Sequence, residues 1–392
     1  MMSIPLNYGL RALLLRKGTT FATAIGIALV VFVLASTFML ADGLSMTLLA
    51  AGSPQRAIVL GEDAFDESTS RIKQEVATLV SASRWIGASS AEAPLASAES
   101  VVHVYLANST GNDLASVQLR GVPANVFEVR PEATVIEGRA IRVGTAEALV
   151  GKGLLGRYAG LTLGGKVELQ KGKSVTIVGV LAAGGSAYES EVWLDLDTLR
   201  SAFGSLGYLS AVSVSLGSSA DFEQFEAEVE SDPRRGLKVE RERVYYERIS
   251  SRLGAIISVL GGTVVSIFAV AALLGAMITM YGSVDRRSRE IGTLRAIGFS
   301  QAQILLLLLI EAGALALAGG ALGAGLALLT PWLDFSTINY ATGQEVAFRF
   351  LPSVETMGLS LLAGLAMGIL GGLLPALKAA TGNPIDALRP SG

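Results

Sequence analysis

The sequence has no cysteine and a single histidine, His103. Without thiols there is no disulfide framework, no thiolate nucleophile and no Cys-ligated zinc or iron–sulfur site. One imidazole cannot supply a two-histidine metal site. Charge is scarce as well: 17% of the residues are Asp, Glu, Lys or Arg, against about a quarter in soluble domains. The net charge of −3 lacks the basic excess of a nucleic-acid binder. The chain is instead apolar, with 51% hydrophobic residues and a mean hydropathy of +0.52. Composition therefore points to a membrane protein.

Four runs are long enough to cross a bilayer. Residues 18–41, 253–284 and 356–377 carry no charged side chain, and residues 296–333 carry only Glu311. Each exceeds the roughly 20 residues that cross about 30 Å of hydrocarbon at 1.5 Å per residue. The first run is longer than the apolar part of a secretory signal, and Leu40-Ala41-Asp42 is a poor cleavage site, so it reads as a retained span. The expected class is a membrane α-helical protein with four transmembrane helices and a large α+β extracytoplasmic domain inserted between helices 1 and 2. Its expected segments are a cytoplasmic amphipathic stretch at 1–18, helices at 19–41, 253–284, 300–333 and 356–377, the extracytoplasmic domain at 42–252, a cytoplasmic coupling helix at 285–299, an outer loop at 334–355 and a cytoplasmic tail at 378–392.

Orientation follows from Lys and Arg. Arg11, Arg16 and Lys17 precede the first span, and Arg286, Arg287, Arg289 and Arg295 lie between the second and third. Lys378 and Arg389 follow the fourth, whereas the loop between spans three and four has Arg349 against Asp334, Glu345 and Glu355. The positive-inside rule then puts both termini and the 285–299 loop in the cytoplasm. The domain at 42–252 has 27 acidic and 21 basic residues by count, as a solvated globule should. β-type runs recur at 101–105, 117–119, 167–169, 175–180 and 212–214, with helix-like stretches near 72–80, 195–203 and 221–229. Gly164-Gly165 between Leu161-Thr162-Leu163 and residues 166–169 predicts a tight hairpin. Residues 240–251 predict a helix running straight into span two, as a stalk.

No site for catalysis, cofactor or metal emerges. Gly172-Lys173-Ser174 looks like the tail of a phosphate-binding loop, but the position that needs glycine is Val167, so Lys173 reads as a surface lysine in a hairpin. His103, between Val102 and Val104, reads as a strand residue. The informative stretch is residues 285–300. Ile291, Leu294 and Ile297 recur at helical spacing, Gly298 ends the helix and Ser300 caps the next. A loop that only fixes topology needs arginine but not this stripe. Arg287, Arg289, Glu290, Ile291, Leu294, Arg295 and Ile297 are therefore the candidates for docking a cytosolic partner.

Within the spans, Glu311 lies about 16 Å into its helix, where a carboxylate is costly. It reads as a packing residue, hydrogen-bonded to a neighbouring span. A proton relay would need a second intramembrane acid, and there is none. Gly319 with Gly323, and Gly364, Gly368 and Gly372, are spaced for close helix contact, either within the chain or between two copies.

These motifs resemble the permease subunits of type VII ABC transporters, the MacB, FtsX and LolC/LolE group. The resemblance rests on Arg289-Glu290-Ile291-Gly292-Thr293-Leu294-Arg295-Ala296-Ile297-Gly298-Phe299-Ser300, on residues 7–17, on Ile310-Glu311-Ala312 with Gly319-Gly320, on Pro375-Ala376, and on residues 384–389. In the extracytoplasmic domain it rests on Leu119-Arg120-Gly121-Val122, Glu137-Gly138-Arg139, residues 150–154 and Val178-Gly179-Val180. The resemblance implies a MacB-like periplasmic core, an FtsX-like permease domain and a bacterial inner-membrane location. It also implies a separate cytosolic ABC ATPase that binds ATP and Mg, and a second permease copy or paralogue completing a dimer. A periplasmic adaptor and an outer-membrane channel are further implied partners, beside membrane lipids. The implied work is mechanotransmission, for export or extraction of a lipid, lipoprotein, peptide or hydrophobic compound. The alternative is an FtsX-like regulator of an extracytoplasmic hydrolase.

Overall fold

The computed structural model describes residues 17–89, 91–109, 114–332, 335–338, 345–348 and 350–382. The amphipathic stretch expected at 1–18 falls almost wholly outside them, as do the motif at 384–389 and eight residues of the loop expected at 334–355. Four long helices span Lys17–Leu49, Glu242–Arg286, Gln301–Ala327 and Val354–Thr381, and each contains a membrane-length apolar window. The second is one uninterrupted helix of 45 residues, about 68 Å long at 1.5 Å per residue. Residues 240 and 241, expected in this helix, belong instead to the strand Leu237–Arg241, and from Glu242 the helix runs on unbroken because residues 242–252 contain neither glycine nor proline. The third ends at Ala327, short of the expected residue 333. Pro331 disfavours the helical conformation at Thr330, and Thr330–Trp332 tightens into a 3-10 turn.

Two compact units are distinguishable, one holding the four membrane helices and the other comprising residues 43–254 and 334–349. Glycine sets the packing of the helical unit. A Cβ on Gly319 would lie 2.6 Å from the Ala24 carbonyl oxygen, and one on Gly323 would collide with the Ala28 carbonyl. A Cβ on Gly364 would lie 2.5 Å from Val31 Cγ2, one on Gly368 would collide with Ala316 Cβ, and one on Gly372 would lie 2.7 Å from Ala312 Cβ. All five small-residue positions thus serve contacts within this chain, joining the third and fourth helices to the first and to each other. The second helix touches the first through a hydrogen bond between Thr23 Oγ1 and Thr279 Oγ1, 2.7 Å apart.

In the other unit the strands are β1 (Arg56–Gly61), β2 (Ile72–Lys73), β3 (Ala96–Ala107), β4 (Leu114–Val122), β5 (Thr134–Gly138), β6 (Glu147–Gly151), β7 (Lys166–Gln170), β8 (Lys173–Ala182), β9 (Glu191–Asp195), β10 (Tyr208–Leu209), β11 (Ala211–Ser215) and β12 (Leu237–Arg241). The main sheet runs β12-β1-β11-β3-β4-β9-β6-β8-β5, with β7 on β8. β3 is long enough to serve two lobes. Residues 96–99 pair with β11, and residues 100–107 pair with β4. Each lobe has its own apolar core, one around Val117, Leu119, Val192 and Leu194, the other around Val59, Val212, Phe225 and Val239.

One expected element is absent. Residues 161–163 form no strand, because Gly160 and Gly164 both take positive φ, at 82° and 78°, and turn the chain on either side of them. The hairpin lies instead at Lys171-Gly172, joining β7 to β8. There Lys173 Nζ donates to the Ser201 and Ala202 carbonyls at 2.7 and 3.1 Å, satisfying the end of helix Leu196–Phe203.

Candidate functional site

The loop between the second and third long helices folds as a short helix, Ser288–Ala296. Its termination is local chemistry. Gly298 adopts φ 112°, its N–H donates to Arg295 O at 3.2 Å, and Phe299 N–H donates to Leu294 O at 3.1 Å. That pair of bonds is the Schellman arrangement, here accompanied by apolar packing of Phe299 and Leu294 in one cluster. Ser300 then opens the third long helix with a capping box closed by Gln303. The C-terminal end of the short helix is consequently fixed within a few residues of the third long helix.

The face it turns to its own chain is not the face expected. Ile291 and Leu294 pack with Met280, Ile304, Leu308, Ala376 and Ala380, so the stripe assigned to a partner is largely spent on the bundle. Helical spacing identifies an apolar stripe but not what covers it. What remains exposed is Ser288, Arg289, Glu290, Thr293, Ala296 and Ile297, the last at 60%. Arg295 is half-buried, and its Nε has no hydrogen-bond partner among the described residues.

Arg287 departs further from expectation. It is 5% exposed rather than a flanking surface charge. It occupies the break between the two helices, donating from Nη1 to Glu311 Oε2 at 2.9 Å and from Nε to Glu290 Oε2 at 3.1 Å. Glu311, 6% exposed, therefore pairs with an arginine of the connecting segment, and not with a neighbouring span. The long guanidinium side chain reaches a carboxylate that would otherwise be an uncompensated charge. Removing either partner would strand the other, which is how a buried pair fixes geometry while adding little net stability.

A second buried charged assembly, unforeseen from sequence, lies where β3 changes partner. Strand alternation sends Val117 and Leu119 into one core and Gln118 and Arg120 to the opposite face, where Glu191 and Trp193 of parallel β9 lie alongside. Arg120 uses all five guanidinium donors. Nε and Nη2 bind Glu191 at 2.7 and 2.9 Å, Nη1 and Nη2 bind Glu67 at 2.8 and 2.9 Å, and Nη1 also binds Glu99 at 2.6 Å. Arg130 pairs with Glu99 and donates to Tyr188 Oη and Ser213 Oγ. Arg56 pairs with Glu242, the first residue of the second long helix, and with Glu132. Burial alone would raise the Glu99 carboxyl, but Arg130 and Arg120 outweigh it and hold it down to about 2. The available sequence signal was a lone charge, Arg120, in an otherwise uncharged strand. His103 sits opposite Gln118 on β3, and burial pushes its imidazole below 6.5.

Comparison with known proteins covers most of the chain. Residues 20–232 match the MacB-like periplasmic core domain, and residues 262–384 match the FtsX-like permease C-terminal domain. The ABC transporter permease YknZ of Bacillus subtilis is 29% identical, covering 63% of this chain and 62% of that protein. The macrolide export ATP-binding/permease protein MacB of Salmonella choleraesuis is 30% identical, covering 57% of this chain and 35% of that protein. An ABC transporter permease of Methanocaldococcus jannaschii is 26% identical over 57% of each. The chain thus spans between 35% and 62% of the length of these relatives. Among solved structures, the periplasmic region of MacB from Actinobacillus actinomycetemcomitans aligns with a TM-score of 0.38 at 14% identity, covering 51% of this chain and 94% of that one.

Proposed function

Because the chain belongs to the type VII ABC transporter permeases, with a MacB-like periplasmic core and an FtsX-like permease domain, we propose that it is a membrane subunit through which a separate cytosolic ATPase drives the domain at 43–254. The observation that carries this reading is the short helix Ser288–Ala296, which is clamped to the bundle by the Arg287–Glu311 pair and by Ile291 and Leu294. A helix anchored on one side and charged on the other can pass on a push without yielding locally. In this reading ATP and Mg are bound by the partner, the chain hydrolyses no ATP alone, and two copies of the permease work together. The work is done on a substrate outside the membrane, for export or extraction.

The test uses the face that is free. Arg289→Glu and Ile297→Asp alter exposed side chains, so membrane level should stay normal. ATPase co-purification should fall at least tenfold for Ile297→Asp, about 1.4 kcal/mol, and less for Arg289→Glu. Leu294→Asp and Arg287→Glu discriminate poorly, since both disturb packing inside the chain. Full ATPase binding and stimulation by Ile297→Asp would remove the docking role from this helix.

The orientation proposed puts this helix in the cytoplasm of a bacterial inner membrane and the 43–254 domain outside. An impermeant maleimide applied to spheroplasts should label Lys171→Cys, at the exposed β7–β8 tip, but not Ser288→Cys. The reverse pattern would invert the topology.

A further inference from the structure

A cavity of about 200 Å³ lies beside the short helix, among Tyr281 and Asp285 of the second long helix, Ser288, Gly292 and Arg295 of the short helix, and Lys378 near the end of the fourth. Two features need explaining. The Arg295 Nε is buried without a partner among the described residues, and the Lys378 ammonium, on an exposed side chain, stands 5.6 Å from the centre of the Tyr281 ring. Two cations against Asp285 leave the lining with one net positive charge. The complement is a ligand bearing one net negative charge and able to accept from a guanidinium.

The apolar half of the argument comes from the second long helix. Ile267, Val270, Leu274 and Ile278 are 65, 60, 51 and 72% exposed. Their spacing of three or four residues continues to Tyr281 and Asp285, so the six share one helix face. That stripe covers about 21 Å from Ile267 to Tyr281, more than the roughly 15 Å of one hydrocarbon leaflet. It ends at the cavity mouth, with Tyr281 at the position where an amphipathic ring marks the membrane boundary. A second copy of the chain could cover the stripe but leaves the cations unexplained. A free anion would meet the cations but leaves the stripe unexplained. One molecule with a charged end and a long apolar body accounts for both.

We propose that this cavity binds the phosphodiester headgroup of an anionic glycerophospholipid, with the acyl chains lying along the stripe at 267–278. Basic pockets between membrane helices on the arginine-rich side are suited to such headgroups, and each cation near the surface favours anionic lipid. The site needs only the membrane embedding of the four helices, so its test contains no ATPase and can fail or succeed apart from the coupling role.

The experiment is native mass spectrometry of the full chain in mild detergent, offered phosphatidylglycerol, phosphatidylcholine or inorganic phosphate. Phosphatidylglycerol should be retained about tenfold better than phosphatidylcholine, and inorganic phosphate should neither bind nor displace it. Lys378→Gln should lower that preference several-fold, and adding Arg295→Gln should bring it to unity. Should the double variant fail to fold, Lys378→Gln alone, altering an exposed side chain, decides the matter. Equal retention of the two lipids by the unaltered chain, an unchanged preference in Lys378→Gln, or displacement by inorganic phosphate would each overturn the proposal.

Discussion

Where β3 changes partner, the outer domain encloses Arg56, Arg120 and Arg130 with Glu67, Glu99, Glu191 and Glu242, none more than 7% exposed. Where the third long helix crosses the first, Gly319 and Gly323 press on the backbone at Ala24 and Ala28. The first contact is directional and polar, the second depends on shape alone. Their solvents explain the contrast. A domain that folds in water can return part of the desolvation cost of an ion cluster through a full set of hydrogen bonds. A helix bundle in lipid gains nothing from apolar burial against an equally apolar solvent, so close packing has to supply the attraction. Arg287 with Glu311 and Glu290 stands between these extremes, one arginine and two carboxylates at the end of a glycine-packed bundle.

The contrast can be broken from the polar side first. Arg120→Met leaves Glu67, Glu99 and Glu191 without their shared guanidinium, and should cost about 3–5 kcal/mol or more. Thermal unfolding of the detergent-solubilised chain should lose the outer-domain transition, with the helical signal of the membrane spans retained. A transition unmoved by this change would mean that the cluster is incidental to the fold.

Acid provides a graded version. The Glu99 carboxyl is held at about 2 against an ordinary 4.5, so its depressed folded value stabilises the folded state. That contribution is fully present above pH ~4.5 and is lost as the pH falls toward 2, on the order of 3 kcal/mol in total. Melting temperature followed against pH should decline through that window, and Glu99→Gln should flatten the decline while lowering stability at neutral pH.

The smallest effect belongs to the glycines. Gly323→Ala puts a methyl group against the Ala28 carbonyl and should cost roughly 1–2 kcal/mol. Gly325→Ala, two residues on, meets nothing within 4 Å and should be neutral. Equal behaviour of the two variants in a denaturant titration of the membrane form would discard the close-contact reading.

Legibility in the sequence followed the range of the interaction. The four spans were plain because each is a continuous apolar run. The C-terminal end of the short helix and the start of the third long helix were plain because Gly298 and Ser300 act on residues within five positions of themselves. The continuity of the second helix from Glu242 was legible for the same reason. What could not be read was partnership at a distance. Arg56 and Glu242 are 186 positions apart, and Arg130 and Ser213 are 83 apart. Nothing local in either sequence window marks the other. The outward face of the short helix is illegible on similar grounds, since Ile291 and Leu294 look alike whether an own-chain helix or a partner covers them.

Trp193 turns the buried cluster into an optical probe. Its Nε1–H donates to Glu191 Oε2 at 2.8 Å, and the Tyr188 ring meets it edge-on at 5.6 Å between centres. Of the other two tryptophans in the sequence, Trp332 is 85% exposed and Trp85 stacks under the Arg84 guanidinium at 4.7 Å. Fluorescence from Trp193 should therefore be blue-shifted and shielded from aqueous quenchers while the cluster is closed. Any rearrangement at β9 would register as a change in emission, in real time and without an attached dye.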